Sequence, residues 1–361
     1  MPELKKSSTR SDLHLFVTIL AGGIGSRFWP ASTPARPKQL LPLTSDRPLI
    51  VDTVQRARLM VPDERIKILT GKALKAPILE AVSDLHESIF MVEPQARGTA
   101  PALVWAAWEM SKVDPDAVII SIHADHLIRP ESAFVELLHD TAALAASTGM
   151  LFTISIPPTR PETGYGYVEP GAVLAEASKH DAFTVASFRE KPDQTTASEY
   201  VERGHLWNSG IFVWRASTFL SEVTAVAPEI GDLLPLLDRS SPEEFFTRVP
   251  AVAVDVAVLE KSARVASIRA NFEWDDVGTW EALARTQEPD LSGNVVVGSG
   301  HILDGVNNVV YAEEGTVVTY GVDDLIVVQS GGMILVTRKE LAGNLKDLLG
   351  RLPNNVRDGS S

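Results

Sequence analysis

The chain contains no cysteine. Disulfide staples and thiolate metal sites are therefore excluded, and a reducing compartment suits it. No apolar run approaches the roughly 20 residues of a membrane helix, so no membrane partner is expected. There is no basic surplus either: 33 Lys and Arg face 47 Asp and Glu, for a net charge of −14. A general nucleic-acid binder needs a basic face, so that class is set aside. A phosphate-binding enzyme is not, because only its cleft must be positive. Hydrophobic residues make up 45% of 361, enough for a large core and against wholesale disorder. That length favours two domains, or one large domain with an appendage. Lys5, Lys6 and Arg10 ahead of the apolar residues 13–20 imitate a short signal peptide. His14 interrupts the stretch, which then runs straight into a glycine loop. Residues 1–12 are accordingly read as a mobile tail, and the protein as cytoplasmic.

Residues 15–20 (LFVTIL) are a continuous apolar run with β-branched members. Such a run reads as a strand buried on both faces of a parallel sheet. Helical spacing over 49–60, a short strand at 66–70 and an Ala-, Leu- and Trp-rich helix over 97–112 follow. Pro101 sits early in that helix, where it is tolerated. Residues 117–122 (AVIISI) read as another buried strand, 134–147 as a helix and 151–156 as a strand. This alternation predicts a doubly wound, mostly parallel α/β sheet. Residues 161–215 change texture to short strands, glycines and aromatics, and helices return over 216–262. From 294 to 337 only short Val/Ile strands remain, written NVVVG, NVVYAEEG, TVVTYG, LIVVQSGG and MILVT. The expected division is a catalytic domain at 13–290 and a small β domain at 291–352. That β domain closes on an amphipathic helix over 338–352, and a frayed tail occupies 353–361.

The loop after the first strand carries the chemistry. Gly22, Gly23 and Gly25 remove side chains, so backbone N–H groups can approach phosphate oxygens. Arg27 and Lys38 lie in the same excursion and supply cations. No Gly-Lys-Ser/Thr closes the loop, so it is not a Walker A element. Phe28 stands where a dinucleotide fingerprint needs its last glycine. The glycines alone fit a plain tight turn equally well.

The longer run, from Leu20 through Ala21 and Ser26 to Trp29-Pro30 and then Arg36-Pro37-Lys38-Gln39, resembles the sugar-nucleotide pyrophosphorylase signature. Its Trp-Pro and Pro-Lys-Gln elements resemble the GDP-mannose pyrophosphorylase branch of that family. Further matches come in the family's order. They are Glu93-Pro94 with Arg97, Thr99, Ala100 and Pro101; Ala124-Asp125-His126; and Gly164-Tyr165-Gly166-Tyr167. Glu190-Lys191-Pro192, Trp207-Asn208-Ser209-Gly210 and Trp274-Asp275-Asp276-Val277-Gly278 complete them. The resemblance implies a Rossmann-like nucleotidyltransferase sheet with a C-terminal left-handed β-helix-like domain, and a homodimer. It implies that GTP and mannose 1-phosphate give GDP-mannose and diphosphate with Mg²⁺ as cofactor.

What the resemblance implies for the site follows residue by residue. Asp125 and Asp276 would hold Mg²⁺, with Asp275 next door as the rival to Asp276. Arg27 and Lys38 are the catalytic cations. Ala21, Gly22, Gly23, Gly25, Ser26, Glu93, Pro94, Arg97, Thr99 and Ala100 would bind the nucleotide. Gly164, Tyr165, Gly166, Glu190, Lys191 and Asn208 would bind the sugar phosphate. Trp105 and Trp108, three apart on an Ala-rich helix, read as core packing. His123 and His126 flank Asp125, but their spacing is not a zinc motif. Three positions depart from the family pattern: His123 for proline, Gly98 for asparagine and Val256 for tyrosine. They leave the phosphate chemistry intact and bear on base and sugar preference. No isomerase extension follows, so no isomerase activity is expected. Two other functions compete: transfer to another sugar 1-phosphate such as a heptose, or a silent subunit that senses GDP-mannose. The complete charged set speaks against the second, because a sensor could lose Lys38 or a metal carboxylate.

Overall fold

The structure, a computed structural model, describes residues 13–23, 25–174, 179–239 and 242–357. The tail expected at 1–12 lies outside them. β1 (Leu15–Leu20) is buried along almost its whole length, as a strand apolar on both faces requires. β2 (Ile66–Gly71), β3 (Phe90–Glu93) and β4 (Val118–His123) join it in the parallel order β3-β2-β1-β4. The crossovers contain α1 (Leu49–Arg58), α2 (Lys72–Ala81) and α3 (Thr99–Val113), since parallel neighbours need a long return path. Leu20 pairs with His123 and Gly71 with Glu93. The carboxyl ends of these strands therefore share one edge, where open α/β sheets bind ligands.

Past β4 come β5 (Leu127–Arg129), α4 (Glu131–Thr148), β6 (Leu151–Ile156), β7 (Gly166–Val173), β8 (Ala182–Arg189), β9 (Leu206–Arg215), β10 (Val265–Arg269) and β11 (Glu273–Asp275). The large sheet runs β3-β2-β1-β4-β9-β6-β10-β8-β7, with β7 also paired to β9. Parallel and antiparallel pairings mix from β9 onward. Two cores cover its faces. One gathers Val54 of α1 with Phe134 and Leu137 of α4; the other gathers Leu103 of α3 with Phe219 and Phe246. Trp105 lies in the second core, edge-on to Phe246 at 5.6 Å, so its role is packing. β11 stays off the large sheet and pairs antiparallel with β5, placing Asp275 opposite Leu127.

The C-terminal sheet holds β12 (Val295–Leu303), β13 (Val309–Tyr320), β14 (Leu325–Ser330) and β15 (Met333–Arg338). The first three pair in parallel, and β15 returns antiparallel. NVVYAEEG and TVVTYG, expected as two strands, are one, with Gly315 at φ 70° inside it. Asn308 ties the coils together: it takes a bond from Leu325 N at 2.9 Å and gives one to Val322 O at 2.7 Å. Val309, Tyr311, Ile326 and Val328 share one core with Phe28, Leu41 and Trp280. The C-terminal sheet thus packs directly against the loop that follows β1.

Two expectations are corrected here. The helix expected over 338–352 is a 3-10 segment, Lys339–Asn344, followed by a short α-helix, Leu345–Leu349. Gly343 and Asn344 are poor helix-interior residues, and regular helix starts only after them. The tail expected to fray from 353 is instead helical at Asn354–Arg357, and Trp29 Nε1 donates to Arg357 O at 3.1 Å. Residues 358–361 lie outside the described residues.

Candidate active site

The loop after β1 is shaped by one glycine above all. Gly25 sits at φ 69°, in the left-handed region. A Cβ there would lie 2.3 Å from Lys38 Cβ. The missing side chain is what lets Lys38 pass. Lys38 opens a short 3-10 turn and is 5% exposed. Its Nζ donates to Asp125 Oδ2 at 2.8 Å and to the backbone oxygen of Asp276 at 2.5 Å. One ammonium therefore joins two segments some 150 residues apart.

Strand pairing explains why these segments meet. Asp125 follows β4, whose end lies beside the end of β1, and Ala124 N donates to Leu20 O at 3.0 Å. Asp276 follows β11, which the β5 pairing fixes beside His126. Burial, the largest single influence, pushes the Asp125 carboxyl up, but the Lys38 ammonium and its hydrogen bond, together with the neighbouring imidazoles, hold it at about 2. Asp125 is therefore ionised at neutral pH. Tyr165 donates its hydroxyl to Asp276 Oδ1 at 2.6 Å. Burial, then the Asp276 charge, push the Tyr165 phenol up, so it stays a donor. A Cβ on Gly278 would lie 2.9 Å from Asp276 Oδ2, so this glycine leaves room for the carboxylate. Asp276 turns into the cleft. Asp275 turns away, receives Val277 N at 2.7 Å and pairs with Arg285 at 3.1 Å.

Two cavities meet at this point, with Thr99 and His123 lining both. One, of about 340 Å³, is lined by Ala21, Gly22, Gly23, Glu93, Thr99 and Asp125. Burial pushes the Glu93 carboxyl up to about 7. The other, of about 250 Å³, collects all six residues expected at the sugar phosphate, Gly164, Tyr165, Gly166, Glu190, Lys191 and Asn208, together with Asp276. A Cβ on Gly166 would lie 2.5 Å from Glu190 Oε2, so this glycine admits the carboxylate. Lys191 Nζ pairs with Glu190.

The remaining expected residues stand elsewhere. Arg97 is turned away from the first cavity: its Nε donates to Phe246 O at 2.8 Å and its Nη2 to Thr247 O at 3.2 Å. Its expected place at the nucleotide is corrected, because these carbonyls hold the guanidinium. Ala100 is fully buried and its N–H bonds Val252 O. Pro94, Gly25 and Ser26 shape the loops without lining the cavity. Arg27 is exposed on the 3-10 turn and lines neither cavity.

Residues 17–293 match the nucleotidyl transferase family, and residues 298–352 match the mannose-phosphate isomerase/GMP-like β-helix domain. A mannose-1-phosphate guanylyltransferase of Salmonella muenchen is 35% identical over 358 residues, covering 95% of this chain and 74% of that one. The enzyme of the same name from Escherichia coli K12 is 35% identical over 357 residues, with the same coverage of 95% and 74%. The chain belongs to the mannose-1-phosphate guanylyltransferase family. A crystal structure titled mannose-1-phosphate geranyltransferase, from Thermus thermophilus, superposes at TM-score 0.87 with 32% identity, over 94% of this chain and 99% of that one.

Against the family pattern, Gly98 has a structural cause. It sits at φ 79° and ψ −179°, a region essentially reserved for glycine. A Cβ there would lie 2.6 Å from Val252 O. His123 lines both cavities, whereas Val256 is 40% exposed. Ligand atoms of His123, Asp125 and His126 lie within 4.8 Å of one another. His126 Nδ1 is already bonded by Trp274 Nε1 at 3.1 Å, and Lys38 holds Asp125. Burial pushes both imidazoles down, so they are neutral.

Sequence reasoning missed Asp255. It lines the second cavity, receives Asn208 Nδ2 at 2.8 Å, and is pushed up to about 6, first by burial and then by Glu190. Its signal was an acid within an apolar Val-Asp-Val run, where a carboxylate needs a reason. Gln39 was missed as well; it lines the first cavity and donates to Ala21 O at 3.1 Å.

Proposed function

We propose that this chain is a mannose-1-phosphate guanylyltransferase. It transfers the guanylyl unit of GTP to mannose 1-phosphate and yields GDP-mannose and diphosphate. A phosphate oxygen of the sugar phosphate attacks the α-phosphorus of GTP. The bond from that phosphorus to the bridging oxygen breaks, and diphosphate leaves. The nucleophile is already an anion, so no side chain has to be activated. Positioning and charge neutralisation carry the rate. The observation behind this reading is the Lys38 ammonium, fixed between Asp125 and Asp276 where the two cavities meet.

Each group has one task. Lys38 stabilises charge on the transferring and leaving phosphates. Arg27, free to swing from its turn, closes on the triphosphate. Gly22 and Gly23 present backbone to phosphate oxygens. Glu93 accepts N–H donors from the guanine edge when ionised. Glu190, Asp255 and Asn208 accept or donate to mannose hydroxyls, whose absence would leave them unpaired. Asp125 and Asp276 are hard oxygen donors beside the phosphate path. They fit Mg²⁺, which favours carboxylate and phosphate oxygens. When bound, that ion would neutralise the α-phosphate and its neighbours.

Catalysis is assigned to residues 13–290, and 291–352 to the appended β domain. GTP and sugar phosphate as substrates favour the cytoplasm. Val318, Tyr320, Ile334 and Val336 are exposed on the β domain and favour a homodimer. Diphosphate release from each nucleoside triphosphate against a panel of sugar 1-phosphates tests the assignment, and GTP with mannose 1-phosphate should win. Preference for a heptose 1-phosphate would move the substrate. Binding of GDP-mannose without turnover would make the chain a sensor.

A further inference from the structure

Behind the wall formed by Trp207 and Trp274 lies another cavity, of about 820 Å³. Its charged lining residues are Arg129, Arg160, Arg285, Glu273 and Asp275. In a chain of net charge −14, three guanidiniums around one cavity need an explanation. Each is anchored by the chain. Arg129 donates Nη2 to Thr44 O at 3.0 Å and Nη1 to Thr286 O at 3.5 Å. Arg160 Nε donates to Glu162 at 3.1 Å, and its guanidinium lies 5.0 Å over the Trp207 ring. Arg285 gives Nε and Nη2 to Asp275. A guanidinium carries five donors, and Nη1 of Arg160 and of Arg285 has no partner among the described residues. Asp275 is matched by Arg285, and Arg160 is paired with Glu162 outside the cavity lining, so among the lining charges Glu273 stands against Arg129 and Arg160. Trp207, Trp274 and Phe272 supply flat apolar walls, the surface on which sugar rings pack.

We propose that this cavity binds a hexose phosphate as an effector, separate from the two substrate cavities, and that occupancy lowers turnover. Arg129, Arg160 and Arg285 hold the phosphate, and the tryptophan wall holds the ring. The coupling runs through β11 and the residues that follow it. Asp275 Oδ1 pins Val277 N at 2.7 Å. Val277 has φ 46°, where a β-branched residue must be held in place. Between them Asp276 offers its carbonyl to Lys38 and its carboxylate to Tyr165. A phosphate that takes Arg285 competes with Asp275 and loosens the turn that aims Asp276. A phosphate on Arg160 also draws on the guanidinium 3.4 Å from the Tyr165 hydroxyl.

Glucose 6-phosphate is the probe, titrated calorimetrically into the full chain saturated with GDP-mannose, so that the catalytic cleft is filled. Use of that blocker rests on the proposed activity, so diphosphate release and GDP-mannose binding are measured first; their failure counts against the activity alone. Binding to the blocked protein is expected, roughly tenfold weaker in Arg129→Gln, as loss of one charge-assisted bond implies. Arg129→Lys should keep most of the affinity, and thermal melts report whether either variant folds. In turnover assays glucose 6-phosphate should lower kcat with little change in KM for mannose 1-phosphate. Arg129→Gln should keep basal kcat and need about tenfold more effector, by the same estimate. No binding to the blocked protein, binding indifferent to Arg129→Gln, or inhibition competitive with mannose 1-phosphate would each overturn the proposal. Equal affinity for inorganic phosphate would overturn the hexose part of it.

Discussion

Replacing Gly25 by alanine is the most direct test of how the glycine loop works. Its φ of 69° costs an L-residue about 1–2 kcal/mol. The larger effect is steric. The new Cβ would stand 2.3 Å from Lys38 Cβ, whereas real contacts stay beyond 3.0 Å, so Lys38 or the loop must give way. Lys38 has little freedom to absorb this, since its Nζ is fixed at 2.8 Å to Asp125 and 2.5 Å to Asp276 O. A displacement approaching 1 Å at a charge-stabilising group costs about 10²-fold in rate. Gly25→Ala should therefore lose about 10²-fold in kcat and about 1–2 kcal/mol in stability, read from diphosphate release and urea unfolding. Gly23→Ala is the control, because nothing lies within 4 Å of its added Cβ. It should keep kcat within a few-fold and act, if anywhere, on KM for GTP. A Gly25→Ala enzyme with wild-type kcat would refute the claim that this glycine exists to admit Lys38.

Asp125→Asn should fold normally yet lose roughly 10²–10³-fold in kcat at saturating Mg²⁺; wild-type turnover there would remove Asp125 from the phosphate chemistry. Glu93, ordinarily at 4.5 and raised to about 7 by burial, binds its proton more tightly in the folded chain. Its contribution to stability is therefore present below 4.5 and fades as pH rises to about 7, so Glu93→Gln should flatten that part of the unfolding profile. Because the ionised form is the one assigned to guanine, KM for GTP should fall as pH rises through the same window, and Glu93→Gln should abolish the trend. Asp255→Asn should raise KM for mannose 1-phosphate roughly tenfold and leave KM for GTP in place, since it removes one charge-assisted bond in the sugar cavity alone. Trp280 is fully buried, packs on Phe28 and Tyr311, and donates to Trp29 O at 3.0 Å. Trp280→Ala should cost about 3–5 kcal/mol in urea unfolding and lower turnover too, because its cavity opens beneath the catalytic loop.

What was legible in the sequence was mainly local. LFVTIL announces a buried strand because six consecutive apolar or β-branched residues suit nothing else so well, and β1 spans the same six. Asp125 is readable because an apolar run ends just before it. The Gly, Lys and Asp elements were readable as a set because they resemble a family that keeps them in order. The failures share a cause. Arg97 sits in the family's run, yet its partners are carbonyls at 246 and 247, which no local pattern predicts. The helix over 338–352 has apolar spacing, but Gly343 and Asn344 break it and packing decides the rest.

The choice between Asp275 and Asp276 makes the same point. Asp275 ends β11 and Asp276 begins the turn after it, and their carboxylates face different ways, one to Arg285 and the other to Tyr165. Sequence alone leaves open which acid faces which way. The β5–β11 register fixes it by setting Asp275 opposite Leu127, and Arg285 then neutralises the acid that faces away. A one-residue slip of this short pairing would exchange the two carboxylates. It would put the acid now bound to Arg285 into the cleft, in place of the one that Tyr165 now bonds. The two extra bonds on the turn, Arg285 to Asp275 and Asp275 to Val277 N, are what a three-residue strand needs to hold its phase. Placement of Asp276 thus depends on an arginine that bonds its neighbour, Asp275.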